Sequence, residues 1–175
     1  MKKNNINMAL VVLTIFTSLI ATRAHASVAA DQLKSELAQV GIAQFTDHDY
    51  KPGTIKHIVL FRYLDTVTQE QKDEVKRRFL ALQKLATREG KPYIVSIATG
   101  LQNSGEGVDQ DLEQGFIVTL RSEGDRNFYV GQPLINDSHF YDAAHQDFKN
   151  FVGPLLHQDP LGVLVFDFKI EGLAK

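Results

Sequence analysis

The chain alternates between stretches with apolar residues at every second position and stretches with apolar residues at helical spacing. Four stretches have the period or the β-branched composition of strands: Ile55–Tyr63, Tyr93–Leu101, Gly115–Arg121 and Leu161–Ile170. Two longer regions, 68–89 and 125–156, have helical spacing, and Gly131 and Pro133 interrupt the second. The pattern therefore predicts the order β-α-β-β-α-β.

This order is typical of an α+β, ferredoxin-like domain, in which a four-stranded antiparallel sheet carries helices on one face. In the first predicted strand, one side presents His57, Val59 and Phe61, and the other presents Ile58 and Leu60. Both sides are therefore partly apolar, although two helices cover only one face of a sheet. The second face favours a homodimer in which two sheets pack against each other across a two-fold axis.

The first 26 residues have the three parts of a secretory signal peptide. Lys2 and Lys3 are followed by an apolar run over 8–20 and by Ala24-His25-Ala26, which a signal peptidase would accept. The apolar run is short for a membrane-spanning helix, which needs about 20 residues, although an uncleaved anchor is the alternative. We expect a periplasmic or secreted protein with no membrane segment after cleavage.

The remaining chain divides into an extension, 27–53, and a domain, 54–171. In the extension, Asp31 and Gly41 would begin and end a short helix with an apolar stripe, which favours docking over a disordered leader. Loss of Lys2, Lys3 and Arg23 with the leader changes the formal net charge from −2 to −5. That charge argues against a nucleic-acid partner. The absence of cysteine excludes thiol chemistry and thiolate metal sites.

Several segments resemble the stress-responsive α/β barrel (Dabb) domain family. They are Ile55–Phe61, the helix start Thr68-x-x-Gln71, Ala144-His145-Gln146-x-Phe148, Pro154-Leu155-Leu156 and Val163–Phe168. The resemblance covers residues 54 to about 170. It implies a dimeric α+β barrel built from two ferredoxin-like protomers, and one branch of the family cyclises polyketides with a histidine and a tyrosine.

The resemblance also implies candidate catalytic residues. His57 matches the histidine of the first strand, and His145 matches the helix histidine that acts as the base. Tyr129 lies in a segment similar to the family's Tyr-x-x-His-Pro, but with glutamine at position 132 and an insertion over 134–143. Whether Tyr129 and His145 share a cavity is therefore open, and Tyr141 is an alternative partner. We expect His57 on the barrel-facing side of its strand.

Other polar groups have less specific patterns. Asp109, Asp111 and Glu113 lack the spacing of a calcium loop, so we expect a solvated loop and no metal. Asp167 could pair with Lys56 or Arg62, or orient a histidine. Related barrels that degrade haem depend on a tryptophan; this chain has none, and we expect no cofactor.

Three functions remain open. The first is a dimer that binds a small apolar or aromatic molecule in its barrel. The second is a cofactor-independent lyase, cyclase or isomerase that uses His145 with a tyrosine and His57, because histidine and tyrosine suit proton transfer next to a carbonyl. The third is a structural, stress-protective dimer with no active site.

Overall fold

The computed structural model describes residues 28–159 and 162–172, and its centre is a four-stranded antiparallel sheet. The signal peptide predicted over residues 1–26 lies outside the described residues. The strands of the sheet are β1 (Pro52–Phe61), β4 (Ser96–Leu101), β5 (Gln114–Ser122) and β6 (Val163–Lys169). Their order is β4-β5-β1-β6, so β1 is central and β6 is an edge. The short strands β2 (Thr87–Arg88) and β3 (Lys91–Pro92) form a separate hairpin.

The helices lie on one face of this sheet or in the extension that precedes it. They are α1 (Val28–Val40), α2 (Ile42–Phe45), α3 (Gln69–Leu85), α4 (Glu123–Val130) and α5 (Ala143–Val152), with 3₁₀ turns at Ser138–Phe140 and Gly153–Leu155. The predicted α+β, ferredoxin-like fold is confirmed. Within the described ranges, no helix has the length and apolar character needed to cross a membrane.

The longest helix, α3, begins at a capping box and ends earlier than its sequence pattern predicts. Thr68 Oγ1 accepts a hydrogen bond from the Gln71 backbone N–H, and the Gln71 side chain accepts one from the Thr68 N–H. The helix stops at Leu85 rather than at Glu89, because residues 87–92 form the β2–β3 hairpin. Glu89 and Gly90 have positive φ in its turn.

Helices α4 and α5 are also capped by side chains. Ser122 Oγ accepts from the Asp125 N–H, and Asp142 Oδ1 accepts from the His145 N–H, each at 2.8 Å. The predicted helix restart at 137 or 138 is wrong, since only a 3₁₀ turn forms there and α5 begins at Ala143. The predicted strand from Tyr93 also starts later, at Ser96, although Tyr93 is buried.

The core lies between the sheet and the helices. Phe79 of α3 stacks on Phe116 of β5 with ring centroids 3.9 Å apart, and it meets Phe148 of α5 edge-on at 5.0 Å. Residues 55, 57, 59 and 61 of β1 are all buried on this side, while the alternate residues of the strand face the other way. Alternation along β1 therefore separates a helix-covered face from an open face.

Candidate functional site

His57 lies on the helix-covered face of β1 and not on the barrel-facing side that the sequence resemblance led us to expect. Its side chain is buried among the helices and beside β6. The expectation failed because strand alternation distinguishes two faces without telling which one the helices cover. His57 consequently belongs to the interior of the protomer.

His57 is oriented by a carboxylate on the neighbouring strand. Asp167 of β6 is directly opposite His57 in the strand register, and 2.7 Å separates His57 Nδ1 from Asp167 Oδ1. The second oxygen of Asp167 accepts a hydrogen bond from Arg126 Nη1 at 3.2 Å. Of the roles left open for Asp167, orienting a histidine is the one observed. Lys56 instead donates to Thr119, and Arg62 lies near Asp111 and Asp159.

The charge state of Asp167 follows from these contacts. Burial by itself raises the pKa of the Asp167 carboxyl, but the hydrogen bond from His57, together with Arg126, outweighs burial and leaves that pKa below its usual value. The carboxylate is therefore ionised at neutral pH and accepts from the His57 Nδ1–H. This leaves Nε2 of the imidazole as its proton acceptor.

Tyr129 and His145 lie together beside His57, so the insertion over 134–143 does not separate them. Their rings stack with centroids 3.8 Å apart, and His57 meets the Tyr129 ring at 5.4 Å and the His145 ring at 6.4 Å. The inserted segment returns to α4, where the Asp142 N–H donates to the Phe128 carbonyl at 2.9 Å. The structure thus brings together three of the four candidate residues.

His145 is fixed in one tautomer and stays neutral. Its Nδ1 lies 2.6 Å from the Tyr129 backbone carbonyl, and since a carbonyl only accepts, Nδ1 carries the proton. Burial, together with His57 and Lys149, lowers the pKa of His145 to about 3 against a raising effect of the Tyr129 carbonyl. A histidine with this pKa is a weak base at neutral pH.

The Tyr129 hydroxyl is the least satisfied polar group of the cluster. Tyr129 is fully buried, and its hydroxyl oxygen has no hydrogen-bond partner within the described part of the chain. Burial raises the pKa of this phenol, so that the hydroxyl stays protonated, and the carboxylates of Asp142 and Asp167 act in the same direction. A buried hydroxyl without a partner is a donor available to an incoming oxygen atom.

Tyr141, the fourth candidate, lies apart from the cluster. It precedes the N-cap residue Asp142, so it is outside α5 and not one helical turn before His145. Its side chain packs on Gly131, where an added Cβ would come within 2.5 Å of the Tyr141 Cβ. No ring contact between Tyr141 and the other candidates occurs among the described residues. Its position supports the end of α4.

Two supporting residues were missed from the sequence. Asp142 caps α5 through Oδ1, and its Oδ2 accepts from the Tyr93 hydroxyl at 2.9 Å. Asp142 stands three residues before His145, which is the spacing of an N-cap, and this signal could have identified it. Arg126 had no such signal, because its contact with Asp167 spans 41 positions.

Among the described residues, the ligand atoms of the His57 cluster do not converge as a metal site requires. Across residues 28–159 and 162–172, the ligand atoms that come close enough for a metal ion belong to Asp47, His48 and Asp49. These three side chains are exposed in a polar turn and hydrogen-bond or ion-pair among themselves. The loop at 109–113, which we expected to be solvated, borders the open face of the sheet through Asp109 and Leu112.

That open face carries a shallow hollow of about 460 Å³. It is lined largely by apolar side chains of β1, β4 and β5, including Ile58, Leu60, Ala98 and Ile117. On the same face, the edge strand β6 leaves Phe166 59% exposed and Phe168 42% exposed. A continuous apolar sheet surface of this kind marks a binding or subunit surface.

Comparisons with known proteins identify the fold family. The family model of the stress responsive A/B barrel domain (Dabb) matches residues 55–170, which confirms the resemblance found in the sequence. No curated protein matches the chain.

Solved structures of the same fold come from plants and bacteria. The protein At3g17210 of Arabidopsis thaliana is 22% identical with a TM-score of 0.54, over 69% of this chain and 99% of that one. A hydroxynitrile lyase from Passiflora edulis is 19% identical with a TM-score of 0.54, over 71% and 99%. A dimeric ferredoxin-like protein from Jannaschia sp. CCS1 is 18% identical with a TM-score of 0.50, over 67% and 100%. At these identities the likeness establishes the fold.

Proposed function

Because the chain belongs to the stress-responsive A/B barrel domain family, we propose that it is a homodimer in which each protomer is a cofactor-independent acid–base catalyst of the lyase type. The observation that carries this proposal is the convergence of His57, Tyr129 and His145 in one buried cluster. In that cluster His57 is backed by the ionised Asp167, and the Tyr129 hydroxyl has no partner among the described residues. A structural core alone would not need an unsatisfied hydroxyl.

The proposed chemistry is removal of a proton next to a carbonyl, or from the hydroxyl of an α-hydroxynitrile. His57 Nε2 takes the proton, while Asp167 stabilises the imidazolium that forms. The Tyr129 hydroxyl donates a hydrogen bond to the substrate oxygen, and the neutral His145 holds the tyrosine ring by stacking. In the nitrile reaction the carbon–cyanide bond breaks as the carbonyl forms, and the proton held by His57 passes to the cyanide.

Access to this site requires a movement. Tyr129 has no exposed surface, and both histidines are buried. The segment over 131–142 covers the junction of α4 and α5, and it is held by the Asp142 N–H to Phe128 carbonyl bond and by Lys149 bonds to the carbonyls of Val130 and Gln132. We propose that substrate enters when this connection moves aside.

The test is turnover of small carbonyl compounds by the full mature chain. A panel of aromatic and aliphatic ketones in D₂O would be followed by NMR for α-proton exchange, and mandelonitrile would be followed by release of benzaldehyde. We expect the His57→Ala variant to lose activity by about 100-fold or more, which is the usual contribution of a general base. The exposed His139 provides a matched control as His139→Ala. Absence of any His57-dependent reaction across the panel would contradict the proposal.

A second candidate function is binding of a small apolar molecule on the open face without chemistry. The hollow of about 460 Å³ supports it, because a partner sheet would close the hollow into a barrel cavity. Ala98 lines the hollow, so Ala98→Phe would fill it and leave the His57 cluster unchanged. A ligand retained by the native protein in mass spectrometry and lost in Ala98→Phe would favour this function; retention in both would exclude the hollow. A structural dimer would show neither a ligand nor turnover.

We also propose that the protein acts outside the cytoplasm of a bacterium. The support is the charged, apolar and small-residue order of residues 1–26. Expression of the full chain followed by fractionation and N-terminal sequencing should give a mature protein that starts at Ser27. Recovery of intact Met1 in the membrane fraction would indicate the uncleaved anchor instead.

A further inference from the structure

The N-terminal extension lies outside the matched family domain, yet it is docked on that domain. Phe45 of α2 has no exposed surface, and Thr46 is also buried. The Phe45 backbone carbonyl accepts a hydrogen bond from Asn127 Nδ2 of α4 at 2.7 Å. The apolar stripe of α1, which the sequence predicted to dock, has no buried residue. The extension docks instead through Phe45, which comes after α1 in the chain.

A continuous chain of hydrogen bonds leads from Phe45 to the imidazole of His57. Beyond the Phe45–Asn127 contact, Asn127 Oδ1 accepts from Arg126 Nε at 2.8 Å. Arg126 Nη1 then donates to Asp167 Oδ2, and Asp167 Oδ1 accepts from His57 Nδ1. Every member of this chain is at least partly buried, so water competes poorly with each bond.

A second polar contact joins the extension to α4. Glu36 of α1 accepts from the Tyr50 hydroxyl and pairs with Lys51, each at 2.7 Å. Burial alone would raise the pKa of Glu36, but Lys51, Tyr50 and the nearby charge of Arg126 hold it below its usual value. Lys51 also lies 3.8 Å from Glu123 of α4, so this group of charges joins the extension to the domain.

We propose that residues 28–53 form a positioning element that holds Arg126, and through it the Asp167–His57 pair, in the arrangement needed for acid–base chemistry. The consequence for turnover rests on the proposed function, whereas the positioning itself is a property of the folded chain. Without the extension, Asn127 would lose the acceptor that fixes its amide, and Arg126 Nε would lose its fixed partner. His57 would then be held by a less ordered carboxylate.

Gly124, in the first turn of α4, offers a way to release the extension without truncating any side chain. Its backbone N–H donates to the Tyr50 carbonyl at 3.1 Å, and a Cβ placed on it would lie 1.7 Å from the Asp47 carbonyl oxygen. Gly124→Ala should therefore push the extension away while adding a residue favoured in helices. Gly153→Ala is the matched control, because it has helical dihedral angles and an added Cβ there meets nothing within 4 Å.

Two measurements on the full mature chain test the inference. Limited trypsin digestion would report release of the extension through cleavage after Lys34 or Lys51. Proton NMR would report exchange of the His57 Nδ1–H with water. In Gly124→Ala we expect both rates to rise by about tenfold or more, as overpacking of a docked segment predicts. In Gly153→Ala neither rate should change.

Phe45→Ala provides an independent variant, because it undocks the extension from the extension's own side and leaves the family domain unaltered. If Gly124→Ala does not fold, Phe45→Ala decides. Faster cleavage with an unchanged His57 Nδ1–H exchange rate would overturn the positioning role, and unchanged cleavage in both variants would overturn docking. Failure of the proposed catalysis is separate, since it shows as missing turnover while the His57 proton still responds to the extension.

Discussion

The two faces of the central sheet are built from alternate residues of the same strands, yet they differ in what completes them. On the helix-covered face, Val59, Phe116 and Val118 are buried within the protomer together with His57. On the open face, Ile117 is 39% exposed although it lies between Phe116 and Val118 in β5. The helices of the same protomer cover one face, and the other face is apolar and exposed.

This difference places the polar cluster and the exposed apolar surface on opposite sides of a single strand. The polar cluster of His57, Tyr129 and His145 lies on the closed face, where low polarity makes each hydrogen bond strong and each unpaired group costly. The open face has the apolar residues that a second copy of the chain would cover. A variant on one face should therefore leave the other almost unaffected, and three predictions test this separation.

The largest effect is expected from Phe79→Ala on the closed face. Phe79 is buried and contacts Phe116 and Phe148, so its truncation leaves a cavity at the centre of the core. We expect a loss of about 3–5 kcal/mol in the free energy of unfolding, measured by urea denaturation. The neighbouring Leu80→Ala is the control, since Leu80 is 37% exposed and should change stability by about 1 kcal/mol or less. Equal losses in the two variants would show that the helices do not pack as described.

A charge on the open face should break the proposed dimer instead of the fold. In Ile117→Asp the new carboxylate would have to be buried against the apolar sheet of the partner. We expect the dissociation constant to rise by about 100-fold or more, measured by analytical ultracentrifugation. The variant should remain folded as a monomer and should still unfold in a single cooperative transition in urea. An unchanged dimer would show that the subunits associate through another surface.

Measured per pH unit, the smallest effect is a pH dependence that arises from His145. The pKa of His145 falls from its usual 6.5 to about 3 in the folded chain, so between these values the unfolded chain binds a proton that the folded chain does not. Stability therefore falls as pH is lowered from about 6.5 towards 3, by up to about 1.4 kcal/mol per pH unit for this one proton. Above about pH 6.5 the contribution of His145 is constant.

Replacement of His145 by phenylalanine should remove that slope while the stack on Tyr129 is kept. Urea denaturation at several pH values would compare the two chains. The carboxyl groups are the same in both, so the difference in slope reports His145. The exposed His139 serves as a control in His139→Phe, which should keep the original slope. A His145→Phe chain with the original pH dependence would show that His145 is not held neutral by burial.

The strand and helix order was predictable because it depends on local periodicity and on capping residues such as Thr68 and Gln71. Errors occurred where local signals compete with packing. The pattern of α3 continued to Glu89, but the chain turns after Leu85 to form a hairpin, and Tyr93 is buried outside the sheet. These boundaries are decided by what lies against the segment and not by its own period.

The candidate site was only partly predictable. Three of its residues, His57, Tyr129 and His145, were identified from a family resemblance, but only their surroundings led us to propose His57 instead of His145 as the base. Asp142 could have been found from its capping position. Arg126 could not have been found, because nothing near it in the sequence distinguishes it from the other arginines of the chain.

The sequence by itself determined the alternation of β1, the order of the elements and the family, since these follow from neighbouring residues and short motifs. Only the tertiary structure decided which face of β1 the helices cover and how Phe45, Arg126 and Asp167 connect to His57. The physical reason is sequence separation. His57 and Asp167 are 110 positions apart, and their contact exists only because antiparallel pairing of β1 with β6 fixes the register between them.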